Sequence, residues 1–167
     1  VVMAAFTGLR RGELMGLKRD CLDFVKREIV TRRSFCKVEK RILEHTKSKR
    51  IRRVPMHDFV YDMLLPLKPK PMDSLVIRGV DLREVGRWRF KTMCKRARVR
   101  QIRWHDLRHT FASHLTMCDV NGKKLQKVMG HSTLAMTEKY AHLSPDATDK
   151  ITHILPVPEF PESSRKV

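Results

Sequence analysis

The spacing of apolar residues switches between helical and strand periods along the chain, and the switch points outline its elements. Val1 to Leu17 predicts an apolar helix, a break at Thr7-Gly8, and a second short helix through Glu13, Leu14 and Leu17. From Asp23 to Pro55 the pattern changes to short runs separated by basic turns: Ile29-Val30-Thr31, Lys40-Arg41-Ile42-Leu43 and Ile51-Arg52-Arg53-Val54. These predict one small antiparallel sheet of two or three strands, the last ended by Pro55. Helices are predicted over Phe59–Leu65, over Leu82–Ala97 (Phe90, Met93, Cys94 and Ala97 in register), and over His105–Met117 (Leu107, Phe111, Leu115). A further helix, Lys123–Met129, is closed by Gly130, a favoured residue just past a helix end. Ser132 or Thr133 is placed to cap a last short helix carrying Leu134 and Met136 toward Tyr140. The Pro66, Pro69 and Pro71 segment reads as a loop, and Pro156, Pro158 and Pro161 mark an extended tail. The expected fold class is mainly α with a small antiparallel β-sheet (α+β), one domain over residues 1–155 and a proline-rich tail over 156–167.

Charge changes this picture from a generic domain to one with a polyanionic partner. The 167 residues include 36 Lys+Arg against 18 Asp+Glu, a formal charge of +18, far above what solubility needs. The excess is clustered: residues 26–53 hold 12 basic and 3 acidic residues, and residues 78–103 hold 10 and 2. Basic residues occur all round these segments, with no clean apolar face opposite, so a nucleic-acid backbone fits better than an anionic membrane. No run approaches 18 apolar residues, the length a membrane span needs. Cys21, Cys36, Cys94 and Cys118 form no Cys-x-x-Cys pair, which argues against a zinc ribbon and for four free thiols in a reducing compartment. The chain opens on Val1, inside an apolar helical pattern with no cap, and is expected to be a piece of a longer polypeptide.

Five local patterns carry chemistry. In Thr7-Gly8-Leu9-Arg10-Arg11-Gly12-Glu13, Arg10 lies at a helix break, where it can clamp a phosphate with Glu13 orienting it, or form a surface helix pair. His45-Thr46-Lys47-Ser48-Lys49-Arg50 puts lysines at a hairpin tip, reaching a groove or simply solvated. In Trp104-His105-Asp106-Leu107-Arg108-His109-Thr110, His105 and Arg108 share a helix face where both can touch one phosphate. The rival there is a metal site on His105 and His109, but the Glu of a zinc-protease motif is replaced by Asp106 and no third ligand is evident. Met129-Gly130-His131-Ser132-Thr133 puts His131 in a tight turn, and Thr137-Glu138-Lys139-Tyr140-Ala141-His142 holds one of two tyrosines. Singly, each has an ordinary structural explanation.

Together, in this order, the five motifs resemble the catalytic domain of the tyrosine recombinases, the phage integrase family, over roughly residues 1–145. Their wording is similar to temperate-phage and integrative-element integrases. The resemblance implies a catalytic set of Arg10, Lys47, His105, Arg108, His131 and Tyr140, with Glu13 in support of Arg10. Lys47 is preferred to Lys49 because the family's lysine typically lies eight residues before the proline that ends the next strand, here Pro55. The chain is expected to begin after the family's N-terminal core-binding domain, and the glycine that the family usually carries near Cys118-Asp119 is replaced by the later Gly122.

The chemistry implied is metal- and ATP-independent cleavage and rejoining of DNA, with no cofactor. Arg10, Arg108 and His131 stabilise the phosphate, His105 accepts the phenolic proton, and Lys47 protonates the leaving 5′-oxygen. Tyr140 attacks to give a 3′-phosphotyrosine. Implied partners are double-stranded recombination sites and further copies of the chain, a homo-tetramer on DNA, with room for accessory DNA-bending proteins and no membrane. The expected location is the bacterial cytoplasm, with the nucleoid. DNA-backbone contacts are expected from Arg11, Lys49, Arg50, Arg87, Arg89, Lys91 and Lys95. The competing expectation is a catalytically inactive, integrase-derived DNA-binding module.

Overall fold

The computed structural model describes residues 1–46, 51–77 and 90–145. Helix α1 (Val2–Thr7) buries Met3, Ala4 and Thr7 and stops at Gly8, whose φ of 61° is the left-handed conformation that ends helices. Helix α2 (Arg11–Met15) follows with Arg10 at its N-cap. Arginine has no acceptor to offer the orphan amides of the first turn, so capping runs in one direction: the Glu13 carboxylate accepts the Arg10 N–H at 2.7 Å.

Among the described residues the strand region forms two sheets rather than the single sheet expected. β1 (Leu22–Asp23), β2 (Glu28–Thr31) and β5 (Arg52–Pro55) make an antiparallel sheet in the order β1-β2-β5, with Ile29 opposite Val54 and Thr31 opposite Arg52. β3 (Ser34–Cys36) and β4 (Arg41–Leu43) pair separately, as Phe35 with Ile42. Two causes turn the chain off the first sheet. Arg32 and Arg33 both close on Asp20, at 2.5 and 2.6 Å. The β3 backbone then lies against α2, where a Cβ on Gly12 would come 2.6 Å from the Ser34 Oγ. Along β5 the side chains alternate, so Arg52 and Val54 face the core while Arg53 and Pro55 face solvent.

Helix α3 (Asp58–Leu64) is capped by His57, whose Nδ1 accepts the Phe59 N–H, and a 3₁₀ turn at Leu65–Leu67 carries the chain into the expected proline-rich loop. Helix α4 (Phe90–Arg96) is the described part of the predicted Leu82–Ala97 helix; residues 82–89 lie outside the described residues. Its buried stripe is narrower than predicted, Phe90 and Cys94, with Met93 and Ala97 exposed. Phe90 packs edge-on against Trp104, with ring centroids 5.4 Å apart, which joins α4 to the base of α5 (Asp106–Met117).

Between α5 and α6 (Gly122–Met129), Asp119 takes the left-handed conformation at φ 58° that a glycine would otherwise supply. Aspartate is among the few non-glycine residues that visit it routinely. The Asn121 Oδ1 caps α6 at 2.9 Å, and Gly130 ends it at φ 64° as expected. The last helix, α7 (Ala135–Glu138), is preceded by Leu134 and has no side-chain cap. Neither Ser132 nor Thr133 plays that part, because the helix starts two residues later than the pattern suggested. A 3₁₀ turn follows at Ala141–Leu143.

Two apolar clusters organise the molecule. The larger joins α1 to α4, the three-stranded sheet, Trp104 and Leu107; the smaller contains Ala112, Leu125, Met129 and Tyr140, with Phe111, Leu115, Val120 and Leu143 packed on it. Helix α5 belongs to both. No helix among the described residues is long and apolar enough to cross a membrane. Residues 146–167, with the expected proline-rich tail over 156–167, lie outside the described residues.

Candidate active site

The two turns that interrupt helices, at Gly8 and at Gly130, meet the start of α5, and arginines bind them together. Arg108 is buried, and its two terminal nitrogens donate to the carbonyls of Gly8 and Met129. Arg10 donates from Nη2 to the Gly130 carbonyl at 3.0 Å and from Nη1 to Glu13 at 3.1 Å. Each guanidinium is therefore fixed at a helix end. Both side chains are thus ordered in advance, and an anion binding here would not incur the entropy loss of ordering them.

Glu13 anchors this cluster. Its carboxylate is 3% exposed and is held on both oxygens by Arg52, at 2.8 and 2.7 Å. Burial pushes the Glu13 carboxyl up, but Arg52 and Arg10 outweigh it and hold the group below its ordinary value. Arg52 is absent from the set read from sequence, where it falls within the basic run over 26–53 read as facing a nucleic-acid backbone. The signal was there in the strand alternation: inward Val54 puts Arg52 inward too.

Three guanidinium groups around one carboxylate leave uncompensated positive charge. Burial, then Arg10 and Arg52, press Arg108 down to about 9, with Glu13 pulling the other way. It remains charged at neutral pH. The cluster thus carries net positive charge, an arrangement suited to an anion.

The histidines divide the surrounding space. His131, in the turn after α6, is buried, and its Nδ1 lies 2.9 Å from the Thr137 Oγ1. Burial and the nearby arginines push it down to about 4, so the ring is neutral at pH 7. The tautomer that accepts from Thr137 at Nδ1 carries its proton on Nε2, free to donate. His105 is exposed at the N-cap of α5, and its imidazole is lowered first by burial and then by His109, Arg108 and Arg10.

Tyr140 is 6% exposed, held by the smaller apolar cluster. Its hydroxyl lies 2.5 Å from the Nδ1 of His109, a residue weighed from sequence only as a metal ligand with His105. Burial raises the phenol above its ordinary value, and the Arg108 charge partly offsets this. Tyr61, by contrast, packs edge-on against Phe24 and beneath the Arg27 guanidinium, a structural setting.

Of the residues expected from sequence, Arg10, Glu13 and Arg108 are brought together by hydrogen bonds to one another or to the Gly8, Met129 and Gly130 carbonyls, and His131 follows Gly130 directly, within the influence of both arginines. His105 faces Arg10 and Arg108 electrostatically, and Tyr140 joins through His109. Arg11 is half-buried in α2, and Lys91 and Lys95 are exposed one turn apart on α4. Lys47, Lys49, Arg50, Arg87 and Arg89 lie outside the described residues. No group of three His, Cys, Asp or Glu among the described residues is arranged to hold a metal ion.

Comparison with known proteins follows the same outline. The family model described as "Phage integrase family" matches residues 1–146. The integrase of Haemophilus phage HP1 is 34% identical over 113 residues, 68% of this chain and 31% of that protein. The solved catalytic domain of bacteriophage HP1 integrase superposes with a TM-score of 0.66 at 28% identity, over 93% of this chain and 80% of that one. The tyrosine recombinase XerC of Bacillus pumilus is 31% identical over 160 residues, 86% of this chain and 48% of that protein. The Tn1549 transposon integrase in complex with a circular intermediate DNA gives a TM-score of 0.71 at 26% identity, over 83% of this chain and 52% of that one. The chain thus spans less than half the length of these curated relatives.

Proposed function

The chain belongs to the phage integrase family, the tyrosine recombinases, and on that premise we propose that it carries the catalytic centre for site-specific breakage and rejoining of duplex DNA through a 3′-phosphotyrosine. The observation that carries this reading is the convergence of Arg10, Arg108 and His131 on the Gly8 and Gly130 turns, with the Tyr140 hydroxyl tethered beside Arg108 through His109.

A phosphodiester resists attack because its oxygens already bear charge. The forks of Arg10 and Arg108 neutralise the non-bridging oxygens, and the His131 Nε2–H adds a neutral donor as charge builds in the pentacoordinate transition state. Each such donor is worth about 10²–10³ in rate. His105, exposed beside both arginines, contacts the same phosphate. Lys47 protonates the departing 5′-oxygen. The phosphotyrosine link conserves the energy of the broken bond, so a 5′-hydroxyl from a second duplex reverses the step and joins strands without ATP or a metal ion.

Exposed Lys91 and Lys95 on α4, with Arg11, Lys49, Arg50, Arg87 and Arg89, contact the DNA backbone. Four copies acting on two duplexes, assisted by DNA-bending proteins, make up the working assembly, and its place of action is the bacterial nucleoid. The test is a nicked suicide DNA duplex incubated with the chain in EDTA. A protein–DNA adduct that survives SDS supports the enzyme; tight DNA binding with no adduct identifies an inactive binding module.

A further inference from the structure

We propose that His109 is the catalytic residue that takes the proton from Tyr140 during strand cleavage, and that His105 does not. The inference rests on the cleavage reaction proposed above and assigns one of its proton transfers.

The Tyr140 hydroxyl lies 2.5 Å from the His109 Nδ1, close enough for a single bridging proton. Both partners are fixed. His109 sits on the second turn of α5, and Tyr140 is packed among Ala112, Leu125 and Met129. The transfer needs a neutral imidazole and a protonated phenol, and the surroundings supply both. His109 faces His105, Asp106, Arg108 and Arg103 from its own element and the turn before it, and Lys139 from the end of α7. Burial and Lys139 lower it, Asp106 opposes, and the net effect keeps the imidazole neutral. The phenol is raised and keeps its proton. In the proposed step the hydroxyl donates and Nδ1 accepts, which requires the ring proton on Nε2.

His105 has no such contact with Tyr140. Its ring meets that of His109 edge-on, with centroids 4.9 Å apart and planes at 89°, on the side influenced by Arg10 and Arg108. With Arg108 between them in sequence, the two histidines separate the tasks: one ring for the phosphate, one for the nucleophile.

The step balances as follows. The Tyr140 oxygen forms a bond to phosphorus while its O–H bond breaks, and the proton passes to the His109 Nδ1. The P–O5′ electron pair leaves with the 5′-oxygen, which takes a proton from Lys47. The imidazolium of His109 returns its proton to Tyr140 when a 5′-hydroxyl reverses the reaction. In the resting chain the transfer is uphill, because the imidazole is lowered and the phenol raised. The proton moves only as bonding to phosphorus strips the phenolic oxygen of its basicity, and the tyrosine stays inert without DNA.

The experiment measures single-turnover adduct formation on the nicked duplex between pH 5 and 9, in the 167-residue chain and in its His109→Asn, His109→Ala and Tyr140→Phe variants. Asparagine places an acceptor near the position of Nδ1 but takes no proton. The expected result is that His109→Asn binds DNA normally, forms adduct about 10²-fold or more slowly, and loses the fall in rate that the parent chain shows on acidification. Parent-like rate and pH profile in His109→Asn, or a slow His109→Ala restored to full rate by Asn, overturns the assignment to proton transfer. Absence of adduct in the parent chain overturns the cleavage reading and this inference with it. A second measurement needs no DNA and no variant: ¹⁵N chemical shifts of His109 should report an unprotonated Nδ1 at pH 7, and a protonated Nδ1 contradicts the proposal.

Discussion

Arg52 closes a two-pronged fork on Glu13, with Nη1 2.8 Å from Oε1 and Nη2 2.7 Å from Oε2. The same carboxylate accepts the backbone N–H of Arg10 and its Nη1, so one buried anion positions two cations from a strand and a helix far apart in sequence. Arg10 is the more exposed of the two and reaches the Gly130 carbonyl; Arg52 stays beneath, its Nη1 pressed toward Gly130. Arg52 thus acts on the site through Glu13 rather than on substrate.

Removing one partner from a buried pair leaves the other uncompensated. Glu13→Gln is expected to lower unfolding free energy by about 3–5 kcal/mol, read from denaturant titration. The double variant Glu13→Leu, Arg52→Met should recover most of that loss while adduct formation stays low, because Arg10 has lost the carboxylate that orients it. Recovery of both stability and activity would mean the network has no part in positioning Arg10.

Gly130 is placed under two constraints. Its φ of 64° costs a side-chain-bearing residue about 1–2 kcal/mol. A Cβ there would also lie 2.9 Å from the Arg52 Nη1 and 3.0 Å from its Cδ. Gly130→Ala should therefore destabilise by more than the backbone term, and in an Arg52→Met background the extra cost should disappear. Additive effects in that double-mutant cycle would show that the two residues do not press on one another.

Acid should destabilise the fold through the histidines. His131 is lowered to about 4, and His105 and His109 are lowered too, so across the interval from the ordinary value near 6.5 down to about 4 the unfolded chain binds more protons than the folded one. Stability is full above about 6.5 and declines as pH falls through that window. Below it, protonation of Glu13, whose carboxyl is also lowered, removes the anchor of the arginine cluster. Melting temperatures taken from pH 7.5 to 4 should fall continuously, and His131→Asn should flatten the slope. A flat profile in the parent chain would contradict the burial of these rings as neutral groups.

DNA affinity should drop steeply with salt. Each phosphate contact contributes a slope of about −0.9 in log K against log salt. Lys91→Ala and Lys95→Ala should each reduce the magnitude of the slope by roughly one, whatever the sequence of the duplex. Unchanged slopes would remove α4 from the DNA-contacting surface.

The helices were legible because their signals are local. Gly8 and Gly130 stand at the ends that their left-handed φ values require, and the α5 stripe follows from its spacing. The family was legible because the phage integrase family repeats these five motifs in one order. The sheet was misread because pairing is non-local. Arg41–Leu43 has strand character, but whether it joins β5 or β3 depends on Asp20 gathering Arg32 and Arg33, a contact that no window of sequence displays. His109 and Arg52 were overlooked for the same reason. Each sits in a run of similar residues, and only its three-dimensional partner, a phenol or a buried carboxylate, separates it from its neighbours.

The central claim is that Tyr140 attacks a phosphate cradled by Arg10, Arg108 and His131. The most direct test is proteolytic digestion of the adduct formed on nicked DNA in EDTA, followed by mass analysis of the DNA-linked peptide. The account predicts a peptide containing Tyr140 joined to a 3′-phosphate, and no adduct from Tyr140→Phe. A link to any other residue, or to a 5′-phosphate, would contradict it.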